Sequence, residues 1–275
     1  MSEQLRILAI GAHPDDCDLK AGGAAIMYAQ MGHKVRFVSV TNGDAGHQRM
    51  GGAALAKRRR EEARRAGQVA GIEYLVLDNH DGELEVNLHN RRQIIALIRE
   101  FQPDLVMTHR PNDYHPDHRY TSQLVQDAAF MVTVPNIVSE VDHLDVNPVI
   151  VYFSDRFRKP SPFTPDVVID IGPVMEQKVR MLHQHTSQFY EWLPYNGRYL
   201  DEVPEGEDER IAWLTQKMQE RFALPDDPSY RRALEEWYGA ERASMVQYVE
   251  AFEACEYGAP LTCEDIPRLF PMLRR

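Results

Sequence analysis

The chain has 275 residues, 43% hydrophobic and 27% charged, enough for one large α/β domain or a domain with an extension. Its 31 basic and 42 acidic residues give a net charge of −11, which argues against a nucleic-acid or anionic-membrane partner. Cys17, Cys255 and Cys263 make no CxxC pair and no even framework, and no window approaches the roughly 18 apolar residues of a transmembrane helix. "MSEQLRILAIGAH" lacks a basic n-region and a cleavage site, so the expectation is a soluble, cytoplasmic protein without a membrane partner.

Short runs rich in Val and Ile, bounded by Gly, Pro or Asp, predict strands over 5–12, 34–41, 73–78, 104–109, 148–154 and 166–172. Helical spacing fills 22–32, 53–70, 87–101 and 117–132; in the third, Leu88, Ile94, Ile95, Ile98 and Phe101 share a face. The run Lys57-Arg58-Arg59-Arg60 abuts Glu61-Glu62 and reads as a solvated helix face, not a phosphate patch. Alternation of strands and helices predicts an α/β, Rossmann-like, mostly parallel sheet flanked by helices over 1–190. From 191 to 275 the texture changes to a helical C-terminal extension of the same domain, with amphipathic helices over 208–222 and 229–253.

In an open α/β sheet, ligands bind beyond the carboxyl ends of the strands. Two polar clusters sit at such ends. "AIGAHPDDCDL" (9–19) leaves the first strand with His13, Asp15, Asp16 and Asp18, and "THRPNDYHPDHRY" (108–120) leaves the fourth with His109, Asp113, His115, Asp117 and His118. A lone Asp at either place is an ordinary helix cap. Adjacent acids beside a histidine repel one another unless a cation offsets them, which a divalent ion does. One imidazole of the second cluster, with His13 and Asp16, makes a three-ligand site with an open position. Such a set suits Zn²⁺, and equally Fe²⁺ or another divalent metal. A bound ion lowers the pKa of water from 15.7 toward ~7.

"AHPDD" paired with "RPNDYHPDHR" resembles the double signature of the PIG-L/LmbE family of metal-dependent N-deacetylases. The likeness continues through Asp44 in "TNGDAG", Arg59 and Glu62 in an RxxEA segment, Asp81-Gly82, and "HTSQF" (185–189), covering roughly 5–190. The resemblance implies a zinc-dependent hydrolase that removes acetyl from an N-acetylglucosamine-type amide of a small amino sugar conjugate, and a homo-oligomer. It implies that His13, Asp16 and His118 hold the metal and that Asp15 is the general base. It implies that His115 stabilises the oxyanion as an imidazolium oriented by Asp117, and that Arg59 and Asp81 hold sugar hydroxyls. His185 is a candidate for the pocket lining. The family usually has Glu where this chain has Cys17, read here as a small packed residue.

Other readings compete. Gly22-Gly23 is not a GxGxxG fingerprint, and Ser187 has no GxSxG elbow. His33, His47, His80, His89 and His143 have no partner pattern, and Trp192, Tyr195 and Tyr199 are the aromatic pocket candidates of the extension. A hydratase or lyase acting on a small unsaturated dicarboxylate would keep metal and fold but need cations, for which Arg49, Arg110 and Arg119 are candidates. A non-catalytic sugar-binding module would have no use for Asp15.

Overall fold

The structure, a computed structural model, describes residues 4–273, so the first three residues and the last two of the extension lie outside the described residues. β1 (Arg6–Gly11) divides its side chains between two cores: Ile7 and Ala9 enter one, Leu8 and Ile10 the other. Successive strand residues point to opposite faces, so a strand apolar throughout is buried on both. β2 (Lys34–Thr41), β3 (Glu73–Asn79), β4 (Leu105–Thr108), β5 (Val149–Phe153) and β6 (Val167–Asp170) fall where strands were expected. With β7 (Val249–Ala254) they form one seven-stranded sheet of order β3-β2-β1-β4-β5-β7-β6. All strands but β7 run parallel, and the α/β class is as read.

α1 (Asp16–Gln30), α2 (Gly52–Ala70), α3 (Leu88–Phe101) and α4 (Pro116–Met131) are the crossovers. α3 packs with α4, while α1 and α2 pack with α5 (Met175–His183) on the opposite face. α1 begins at Asp16, not at Gly22 as its periodicity suggested. Glycine weakens the helical signal, but here it permits close packing: a Cβ on Gly23 would lie 2.6 Å from Cγ2 of Ile171. The early start places Asp16 in the first helical turn and Asp15 at the N-cap.

β1 continues to β2 on one side, whereas β4 returns to pair on its other side. The crevice beyond the carboxyl ends of β1 and β4 is therefore a topological switch point.

The extension holds a π-helical turn (Gln188–Trp192), α6 (Leu193–Gly197), α7 (Glu207–Phe222), α8 (Pro228–Tyr238) and α9 (Ala240–Met245). The helix expected over 229–253 is corrected: it breaks at Gly239 into α8 and α9, helix ends at Met245, and β7 inserts antiparallel between β5 and β6. Glu250 and Glu253 gave that stretch the look of a helix with an acidic face. Glu250 is in fact buried in the sheet, its charge met by Lys178. Among the described residues, no helix is long and apolar enough to cross a membrane.

Candidate metal centre and active site

The turn from β1 into α1 fixes Asp16 by its backbone: the amides of Ala12 and His13 donate to Asp16 Oδ2 at 3.1 and 2.8 Å. His13 Nδ1 lies 3.3 Å from that oxygen, His118 Nε2 lies 3.4 Å from it, and the two ring nitrogens are 3.2 Å apart. Three ligands on a tetrahedral zinc at ~2.1 Å stand roughly 3.4 Å from one another. The triangle of His13, Asp16 and His118 thus fits one divalent ion and leaves a face open.

The outer contacts have the form that metal sites require. His13 Nε2 faces Asp117 Oδ2 at 3.2 Å and Asp81 Oδ1 at 3.1 Å. Asp113 Oδ1 lies 3.1 Å from His118 Nδ1, close but off the hydrogen-bonding line. Burial opposes a charge on His13, but hydrogen bonds to Asp117, Asp16 and Asp81 outweigh it and raise its pKa well above the usual imidazole value. Burial likewise opposes ionisation of Asp16, and the charge of His118 with hydrogen bonding from His13 overcomes it, holding the carboxyl well below its usual range. The site therefore attracts positive charge.

Three further sets able to hold an ion overlap this triangle: His13 with His115 and His118, His13 with Asp81, His115 and Asp117, and Asp16 with His109 and His118. His109, which the sequence reading left without a role, stacks on His118 at 4.2 Å and accepts the Ala12 amide at Nε2. Desolvation and the charge of His118 pull its pKa to about 4, so it is a neutral shelf beneath the His118 ring. Its position directly after β4 was the available signal.

Asp15 is buried beside the triangle, with Arg59 Nη2 donating to its Oδ1 at 3.1 Å. Desolvation raises its pKa, against the pull of Arg59. Arg59 is only 2% exposed; it also donates to the Gly43 carbonyl and lies 3.7 Å from Asp81. Asp44 holds Asp81 in turn by accepting its amide at 3.0 Å. Glu62 accepts from Thr186 Oγ1, Ser187 Oγ and the Ser187 amide, fastening the HTSQF segment to α2.

Three expectations are corrected. The Asp117 carboxylate does not orient His115: it turns to His13 and accepts the Gly82 amide at 2.7 Å. His115 caps α4, its Nδ1 accepting the Asp117 amide at 3.2 Å. Desolvation and the charges of His13 and His118 lower its pKa, and with Nδ1 accepting the Asp117 amide, Nε2 is the nitrogen left to carry a proton. His185 does not line the pocket. It is 0% exposed, with Nε2 on Asp18 Oδ1 at 3.0 Å, and Asp18 also receives the Tyr74 hydroxyl. Arg110 and Arg119 are occupied elsewhere, the first by Asp155, Glu253 and Ser161, the second by the carbonyls of Asp113 and Tyr114; neither they nor Arg49 line the cavity. Cys17 is packed as read, its thiol directed at the Val38 carbonyl.

A cavity of about 1260 Å³ opens from the triangle of His13, Asp16 and His118. Its inner end carries Asp15, Arg59, Asp81, His115 and the exposed ring of Tyr114. The extension supplies much of the rest, including Trp192 and Tyr199, though not Tyr195, and Met218 and Arg221 of α7.

Residues 8–129 match the PIG-L family, described as GlcNAc-PI de-N-acetylase. The chain is 31% identical over 206 residues to the diacetylchitobiose deacetylase of Thermococcus kodakarensis, covering 69% of this chain and 74% of that protein. The chain belongs to the PIG-L/LmbE family. This PIG-L protein is also 24% identical over 200 residues to the 4-oxalmesaconate hydratase of Pseudomonas putida, across 70% and 77% of the two chains. Its fold matches the N,N'-diacetylchitobiose deacetylase of Pyrococcus horikoshii with a TM-score of 0.65 at 24% identity, covering 91% and 84%.

Proposed function

We propose that this protein is a zinc-dependent hydrolase that removes an acetyl group from an N-acetylglucosamine-type amide. The observation that carries the reading is the triangle of His13, Asp16 and His118 with Asp15, a carboxylate outside it, at the inner end of one cavity. The likeness to a diacetylchitobiose deacetylase supports the substrate class. A divalent ion held by the triangle would polarise water and the amide carbonyl.

The chain's own residues divide the remaining work. Asp15, steadied by Arg59, accepts a proton from water as it adds to the carbonyl carbon, then delivers it to the nitrogen as the C–N bond breaks. The products are acetic acid and the amine, which leave at neutral pH as acetate and the ammonium ion, so atoms and charge balance. His115, its Nδ1 engaged by the Asp117 amide, offers Nε2–H to the carbonyl oxygen as negative charge develops there. Arg59 and Asp81 border the cavity where sugar hydroxyls would lie.

A second reading keeps the site and changes the substrate to a small unsaturated dicarboxylate. It is supported by the likeness to a hydratase and by arginines other than those expected, Arg156 and Arg221, on the cavity wall.

The deciding assay measures free-amine release from a panel of N-acetylglucosaminides by zinc-loaded protein, with Asp15→Asn alongside. Release by the parent that falls at least about 100-fold in the variant, at equal metal content, supports the hydrolase and the base. No release from metal-loaded protein, with hydration of an unsaturated dicarboxylate instead, overturns it.

A further inference from the structure

The cavity leading from the metal triangle carries three arginines far from the motifs: Arg156 and Arg158 in the loop after β5, and Arg221 in the last turn of α7. Among the described residues, none of the three has a hydrogen bond to an acceptor or an acid within ion-pair distance. Two buried arginines nearer the sheet are satisfied: Arg99 donates to carbonyls at both ends of its guanidinium, and Arg110 is held by two carboxylates. In a chain with 42 acids against 31 bases, such unpaired cations in one cavity do not follow from a general excess of base.

Arg156 and Arg221 reach the same space from different elements. Desolvation and the like charge of Arg156 pull the Arg221 pKa down, while Asp15 and Asp16 pull it up, so its guanidinium stands within electrostatic reach of the inner end. Lys217, one turn before Arg221, also lines the wall but is engaged by Glu202. Lys20 is likewise engaged, by the Ser154 carbonyl. Two exposed guanidiniums of like charge on one wall, neither with an acid within ion-pair distance, suit an oxyanion, which each can grip with a planar fork of donors.

We propose that Arg156 and Arg221 form an anion subsite selecting amino sugars whose attached group carries a carboxylate or a phosphate. The inference rests on the deacetylase reading for the sugar, and deepens it by naming the charge of the conjugate. Arg158 lies on the same wall and contributes to attraction of the ligand.

The test is a binding measurement, independent of turnover. Zinc-loaded Asp15→Asn protein is titrated calorimetrically with 4-carboxyphenyl N-acetylglucosaminide and its methyl ester, and with N-acetylglucosamine 1-phosphate and methyl N-acetylglucosaminide. Arg156→Gln and Arg221→Gln are made separately on the same background. The expected result is an affinity about 10-fold higher for the anionic member of at least one pair, abolished in each arginine variant and reduced by added salt. Whichever pair shows the preference identifies the anion. Equal affinities within both pairs overturn the subsite, and so does a preference that survives both variants, since the anion would then be held elsewhere. Failure of the amine-release assay would remove the deacetylase reading while leaving this comparison of affinities intact.

Discussion

Glu250 on β7 is bound to Lys178 on α5, with side chains 2% and 0% exposed, and both of its carboxylate oxygens also accept amides of α1, from Gly23 at 2.7 Å and Ala24 at 2.8 Å. Lys178 donates in addition to the Leu19 carbonyl of the same helix. The pair therefore clamps the helix that begins with Asp15 and Asp16 to the strand supplied by the extension. Removing one partner strands a buried charge, at a cost of about 3–5 kcal/mol. Glu250→Ala is expected to lose stability on that scale in chemical denaturation, and the double variant Lys178→Met with Glu250→Gln to lose less. Equal losses would mean that the single variant's deficit is not an unpaired lysine.

The Asp117 carboxylate backs His13, and the predicted effect of Asp117→Asn is on metal retention. Partners of this kind are worth about 10–100-fold in metal affinity. Competition with a chelator should show a loss in that range, while His118→Ala should abolish stoichiometric binding. If Asp117 instead oriented His115, affinity would be preserved and turnover alone would fall.

Gly43 has a φ of 71°, and a Cβ there would lie 2.5 Å from Arg59 Nη1. An L-residue in that region costs about 1–2 kcal/mol, and the contact would push Arg59 off Asp15. Gly43→Ala is expected to lower both stability and amine release, with metal content unchanged. A variant with parental activity would show that Arg59 need not sit where it does.

Cys17 faces the Val38 carbonyl, beneath the turn, and takes no part in the triangle. Cys17→Ala is expected to keep full metal stoichiometry and change activity less than twofold, roughly the scale of a minor packing adjustment. Loss of metal in that variant would make the thiol a ligand after all.

Much of the site was legible because its parts lie next to strand ends in the sequence. His13 and Asp16 are three residues apart, and His118 ends a motif that itself follows a strand, so local spacing and the switch-point rule sufficed to bring them near one another. What failed was direction. The pair His115 and Asp117 looked like an imidazole and its orienting acid, yet it is the Asp117 amide that meets the imidazole, and the carboxylate found His13 instead. His185 is polar in a motif, which suggested a pocket residue; its demand for a partner was met by Asp18 in the interior. β7 was hidden for a related reason, because its glutamates were read as solvated before Lys178 was known to lie opposite. Arg221 had no signal at all, being one more basic residue on an amphipathic helix until the fold laid that helix along the cavity.

The insertion of β7 between β5 and β6 sets an order on the birth of the molecule. Strands β1 to β5 can align as they leave the ribosome, but β6 must wait some eighty residues for the neighbour that joins it to them. A chain interrupted before Val249 would forfeit an interior strand instead of an edge, exposing the flanks of β5 and β6 to unwanted pairing. It would also leave Lys178 without its acid. Completion of the sheet and completion of the anchorage of α1 are thus one late event.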